Sequence, residues 1–227
     1  MDLVKAYKPE NNSFSNGQVL QSAYDFKKAR VVAQEMAENM ALNLVSKRLV
    51  ADQVVLSVGY ERLQVGEQGA GMRESLTNPD IRARYHGEVT TDYYGRQVPK
   101  HAHGSANLDR PTSSTKLITE AVVALFDRIV NRDLLVRRLN LTVNHVVNES
   151  EANRRSTPLQ LDLFTDYEEL ARQKEAEKAE LDKERRIQEA QLAIKQRFGK
   201  NAILRGLNFE EGATAKERNG QIGGHKA

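Results

Sequence analysis

The sequence contains no cysteine and no tryptophan, has only 5 prolines, and is just 6% aromatic. Without thiols there is no disulfide, no thiolate zinc site and no cysteine nucleophile, a composition that suits a reducing compartment. No apolar run approaches the ~20 residues that a membrane helix needs. The opening Met1-Asp2-Leu3-Val4-Lys5 turns polar at once and Pro9 follows, so no signal peptide is expected. Neither sign of charge dominates: 34 Lys and Arg against 31 Asp and Glu leave +3 with His neutral. These absences predict a soluble, cytoplasmic chain with no membrane partner. The mildly basic balance permits nucleic-acid binding without demanding it.

What is present is unevenly placed. The chain has 227 residues, 39% hydrophobic and 29% charged. Apolar patterning fills the part before about residue 150, and charge is concentrated after it. The division expected is a linker over 1–12, a domain over 13–150, a linker over 151–166, a charged helix over 167–197 and a flexible tail over 198–227.

Within the domain, residues 13–20 read as a strand. Asp25 can cap a helix in which Ala29, Val32, Ala33, Met36, Met40, Leu44 and Val45 recur at three- and four-residue spacing. Val54, Leu56, Val58 and Tyr60 alternate along a second strand. Gly66, Gly69 and Gly71 mark a loop, and Tyr93-Tyr94-Gly95 reads as a turn between short strands. Residues 100–108 alternate His101, His103, Ser105 and Asn107 with Ala102, Gly104, Ala106 and Leu108. A second helix follows from Ser114, with Ile118, Ala121, Val122, Leu125 and Ile129 inward. A last strand over about 134–147 sets Leu139, Leu141 and Val143 against Arg138, Asn140, Thr142 and Asn144. The order predicts an α+β fold: an antiparallel sheet with two helices on one face, then an exposed charged helix and a flexible tail. The uncovered sheet face would be polar and open to a partner.

Chemistry-bearing motifs are few. Gly66-Glu67-Gln68-Gly69-Ala70-Gly71 matches neither a dinucleotide fingerprint nor a phosphate loop. No nucleophile elbow and no carboxylate cluster for two-metal phosphoryl transfer is present, so no catalytic residue is assigned. His101 and His103, with His86 upstream, could share a metal, but no further ligand is placed at metal spacing and polar residues on an open face account for them. No metal and no cofactor is expected in this chain. Lys100, Arg110, Arg137 and Arg138 lie near strand ends, where cations can hold phosphates, and Ser113 and Ser114 stand at a helix N-terminus. Gln160-Leu161-Asp162-Leu163-Phe164, just after Pro158, sets three large apolar side chains in a polar linker, which suits a docking peptide.

At this point the chain resembles the C-terminal region of Y-family translesion polymerases, the DNA polymerase IV and V group, closest to its Gram-positive branch. The matching stretches are Ser13–Leu20, Asp52–Tyr60, Lys100–Leu108, Thr112–Lys116, Leu125–Val130 and Arg137–His145, with Gly199–Leu204 and Glu217–Ala227 in the tail. The resemblance implies that residues 10–150 form a little-finger domain whose sheet grips primer–template DNA, and that Gln160, Leu161, Asp162, Leu163 and Phe164 bind the β sliding clamp. DNA contacts would fall on Lys100, His101, His103, Ser105, Arg110, Ser113, Ser114, Arg137, Arg138 and Asn140. It implies a role in error-prone lesion bypass, DNA repair and the SOS response. It also implies that the palm, fingers and thumb, with their Mg²⁺-binding carboxylates, lie outside this chain, which takes no small-molecule substrate. A free-standing, non-enzymatic clamp-bound accessory protein is the alternative.

Overall fold

The computed structural model describes residues 12–63, 85–152, 167–222 and 225–226. The loop at Gly66–Gly71 and the peptide Gln160–Phe164 lie outside the described residues.

Strands β1 (Phe14–Tyr24), β2 (Leu49–Tyr60), β5 (Ala102–Thr112) and β6 (Val136–Asn144) form one antiparallel sheet in the order β1-β6-β2-β5. The short strand β7 (Val147–Asn148) pairs with the start of β2. Strands β3 (Val89–Thr91) and β4 (Gln97–Pro99) make a separate hairpin that leads directly into β5. Alternation decides the faces. Val54, Leu56, Val58, Leu139, Leu141 and Val143 point to one side and are wholly buried, while their neighbours in sequence point to the other. Removing each such side chain from water is worth roughly 1.5–3 kcal/mol, which fixes the register against a one-residue slip.

Two helices close that apolar side, as the periodicity predicts. Helix α1 (Phe26–Ser46) begins at Asp25, whose carboxylate accepts from Lys28 N at 2.9 Å, and buries Ala29, Val32, Ala33, Met36, Met40 and Leu44. Helix α2 (Thr115–Ile129) begins at Ser114, whose Oγ accepts from Leu117 N at 3.2 Å, and buries Ile118, Val122, Leu125 and Phe126. The helices are joined by Arg30, bidentate on Asp127 at 2.8 and 3.2 Å, and by Phe26 against Phe126 with centroids 5.1 Å apart. Helix α2 crosses β5 at Gly104, where an added Cβ would sit 3.0 Å from Ile129 Cγ2 and 3.1 Å from Leu125 Cδ1.

The single turn α3 (Glu149–Ala152) precedes the long charged helix α4 (Tyr167–Phe198). Helix α4 occupies the expected residues and its first half is exposed, but its second half is docked. Glu184 takes Ser114 Oγ at 2.6 Å and Lys116 N at 2.9 Å; Arg185 reaches Ser113 Oγ at 3.1 Å and Glu149 at 3.0 Å. Gln188, only 4% exposed, donates to Ser113 O at 2.9 Å and Thr115 Oγ1 at 2.8 Å. An even spread of charge conceals this, because the contacts are polar and follow no apolar stripe.

The tail also departs from the mobile segment expected. A 3₁₀ turn (Gly206–Phe209) and the short helix α5 (Ala215–Arg218) fold back over α1. Glu35, buried in the middle of α1, accepts from Asn208 Nδ2 at 2.8 Å, Thr214 N at 2.7 Å, Thr214 Oγ1 at 3.2 Å and Ala215 N at 3.1 Å. Glu38 pairs with Arg205 at 2.7 Å, and Arg218 donates to Gln18 at 2.6 Å. Gly212, at φ +94°, is needed twice over: a Cβ there would also lie 2.6 Å from Lys28 Cβ. The chain ends in the two-residue strands β8 (Gln221–Ile222) and β9 (His225–Lys226), paired with each other. Among the described residues no helix is long and apolar enough to cross a membrane.

Candidate nucleic-acid interface

With the helices on one side, the other side of the sheet is open and can be read row by row. One row across the strands is Gly17, Asn140, Ser57, His103; the next is Ser15, Thr142, Val55, Ser105. A further row holds Asn144, Gln53 and Asn107, and at the opposite end Val19, Arg138 and Gly59 stand together. These rows contain no carboxylate. Apart from Arg138 their polar side chains are hydroxyls, amides and His103, and several are already ordered by one another. Thr142 Oγ1 donates to Ser15 Oγ at 2.9 Å, and Ser15 Oγ donates to Asn140 Oδ1 at 3.2 Å. Asn144 donates to Gln53 at 2.9 Å, Gln53 donates to Asn107 at 2.8 Å, and His103 Nδ1 lies 2.7 Å from Ser57 Oγ.

A face of this kind has a defined chemical ability. Hydroxyls and amides fixed on a rigid sheet can hydrogen-bond phosphate and sugar oxygens, and the lack of carboxylates removes repulsion from a polyanion. Glycine at 17 and 59 lets another backbone come close. The edge strands β1 and β5 add outward-facing peptide groups along both borders.

The sequence-predicted residues divide three ways. His103, Ser105, Arg138 and Asn140 lie on the open face. His101 is exposed just before β5, its ring 6.4 Å from that of His103. Lys100, Arg110 and Arg137 are near the face but engaged. Lys100 pairs with Glu88 at 2.6 Å, Arg110 pairs with Glu177 of α4, and Arg137 lies 3.5 Å from Glu61 and donates to Gln21 O at 2.9 Å. The β6 register slips between Val136 and Arg138, which leaves Arg137 in the irregularity while Arg138 faces outward. Arg138 has no partner among the described residues.

Ser113 and Ser114 fall elsewhere, and their assignment to phosphate is corrected. Both are buried under α4, at 8% and 5% exposure, and the Glu184 carboxylate occupies the N-terminus of α2. A carboxylate is the natural occupant of that positive helix end and would repel a phosphate. Sequence reasoning also missed Arg128. In the last turn of α2 it reaches over the sheet edge and donates to Ser105 O at 3.0 Å, placing a cation on the free border of β5. Only the packing of α2 on β5 brings the two together. The three-histidine metal set does not assemble: among the described residues no group of three or more His, Asp and Glu is placed to hold a metal ion.

The sequence profile of the impB/mucB/samB family C-terminal domain matches residues 12–163, which takes in the whole sheet and both covering helices. No curated protein matches the chain.

Proposed function

Because the chain belongs to the impB/mucB/samB family, with the little-finger domain of Y-family DNA polymerases at residues 12–163, we propose that its open sheet face grips primer–template DNA by the sugar–phosphate backbone. The family ties the domain to DNA binding in damage tolerance. The finer reading is that this chain positions an error-prone lesion-bypass polymerase on cytoplasmic DNA during the SOS response. In it, Gln160–Phe164 tethers the polymerase to the β sliding clamp. The chain's own share is grip and tethering rather than chemistry.

One observation carries the grip: four adjacent strands present rows of small hydroxyl and amide side chains without a carboxylate, bordered by Arg138 and Arg128. Such a surface reads no base sequence, because its donors match phosphate and sugar rather than groove edges. The tether rests on composition. Leu161, Leu163 and Phe164 are large apolar residues in a polar stretch, and Gln160 offers an amide to the rim of a pocket.

Anisotropy titration of unrelated duplexes over a salt series tests the grip. Equal affinity on every sequence is expected, with log K falling linearly in log salt by roughly 0.9 per phosphate neutralised. A strong preference for one sequence would point to base readout and against this face.

A further inference from the structure

The β3–β4 hairpin carries two aromatic rings that the grip does not use. Tyr93 is 95% exposed and Tyr94 75% exposed, the two most exposed large apolar side chains described. Their centroids lie 5.3 Å apart at 87°, and the Arg96 guanidinium sits 4.7 Å from the centre of the Tyr94 ring. Burying two tyrosine rings is favourable, yet this turn holds both in water.

The presentation is built, not incidental. Asp92 Oδ1 accepts from Tyr94 N and from Arg96 N, both at 2.9 Å, and Oδ2 accepts from Arg96 Nε at 2.7 Å. The backbone closes as Asp92 N to Arg96 O and Gly95 N to Asp92 O, each 2.9 Å, with Gly95 at φ +75°. The base of the hairpin is held by Lys100 N to Glu88 O at 2.8 Å and Leu63 N to Gln97 O at 3.1 Å. From Lys100 the chain passes through His101 into β5, so the tip projects from the end of the sheet where Arg138 stands.

We propose that Tyr93 and Tyr94, with Arg96, form a stacking platform for unpaired bases of single-stranded DNA next to the duplex that the sheet holds. Aromatic rings accept any base on their π-faces, and the Arg96 guanidinium beside them, held by Asp92, adds cation–π attraction. A duplex hides its base faces, so the platform serves only the strand beyond the last pair. This inference rests on the sheet face holding duplex.

The test uses the full chain and three DNAs: a blunt duplex, the same duplex with a single-stranded thymidine extension, and the same with an abasic extension. Wild type should bind the thymidine extension roughly tenfold tighter than the other two. Tyr93→Ala with Tyr94→Ala should erase that preference and leave blunt-duplex affinity unchanged. Tyr93→Phe with Tyr94→Phe should keep it, since stacking needs the ring and not the hydroxyl. Equal wild-type affinity for thymidine and abasic extensions overturns the platform, as does a double-Ala variant that retains the preference. Either result leaves the sheet-face reading standing if blunt duplex still binds. A chain that binds none of the three DNAs overturns both.

Discussion

Glu35 and Thr214, 179 positions apart, are joined through one carboxylate oxygen that takes the Thr214 backbone N–H at 2.7 Å and its hydroxyl at 3.2 Å. The C-terminal segment is thereby part of the helical layer. Glu35→Ala would leave these donors without their acceptor, at a cost of roughly 1–3 kcal/mol. Urea unfolding should show that loss, and limited proteolysis should cut the variant first between Gly199 and Gly220. Gly212→Ala should open the same segment by steric conflict with Lys28. Cleavage patterns identical to wild type in both variants would mean the segment is not held by α1.

Glu38 gives the docked segment a pH signature. Burial pushes its carboxyl above the ordinary 4.5, with Arg205 opposing and Glu35 adding to the rise. A raised folded-state value means the native protein holds the proton more tightly than the unfolded chain. The resulting stability is full below the ordinary value and is lost as pH rises through the folded value. Thermal unfolding across this window should therefore show wild type losing stability relative to Glu38→Gln, which cannot titrate. Parallel curves for the two proteins would refute the assignment.

Much of this fold was legible because local and global signals agree. Asp25 and Ser114 cap the helices that the apolar spacing predicts, and the alternation at 54–60 and 139–143 gives both faces of the sheet. The second half of α4 and the tail were not legible, for one physical reason. They bind through polar groups that are buried (Gln188, Glu35 and Glu38) or half-buried (Glu184). On a helical wheel such residues mark the solvent side. Site residues fared likewise. Ser57 and Gln53 join the face only through strand register, and Arg128 only through helix packing. Ser113 and Ser114, plausible from their helix position, are covered by α4.

The cations should not contribute equally to DNA affinity. Arg138 is free of partners among the described residues, whereas Lys100 must give up Glu88 and Arg110 must give up Glu177. Arg138→Ala should weaken binding on all sequences alike and reduce the salt slope by about 1. Lys100→Ala should do less. A larger loss from Lys100→Ala in the same titrations would reverse this order.

For the proposed tether, Leu163→Ala with Phe164→Ala should raise the Kd for the sliding clamp by roughly two to four orders of magnitude, given ~1.5–3 kcal/mol for each buried side chain. Calorimetric titration of clamp measures it, with DNA affinity as the control that should not move. Loss of DNA binding in the same variant would mean these residues support the domain instead.

The face from Ser15 to Ser105 is proposed to lie against the DNA backbone. Ser57→Asp with Ser105→Asp places two carboxylates in the middle rows of that face and leaves every apolar core residue untouched. The measurement is duplex affinity of this variant at low salt, beside its unfolding midpoint. Duplex binding should fall at least roughly tenfold, from like-charge repulsion and lost hydrogen bonds, at a nearly unchanged midpoint. Wild-type affinity in a folded double-Asp variant would contradict it.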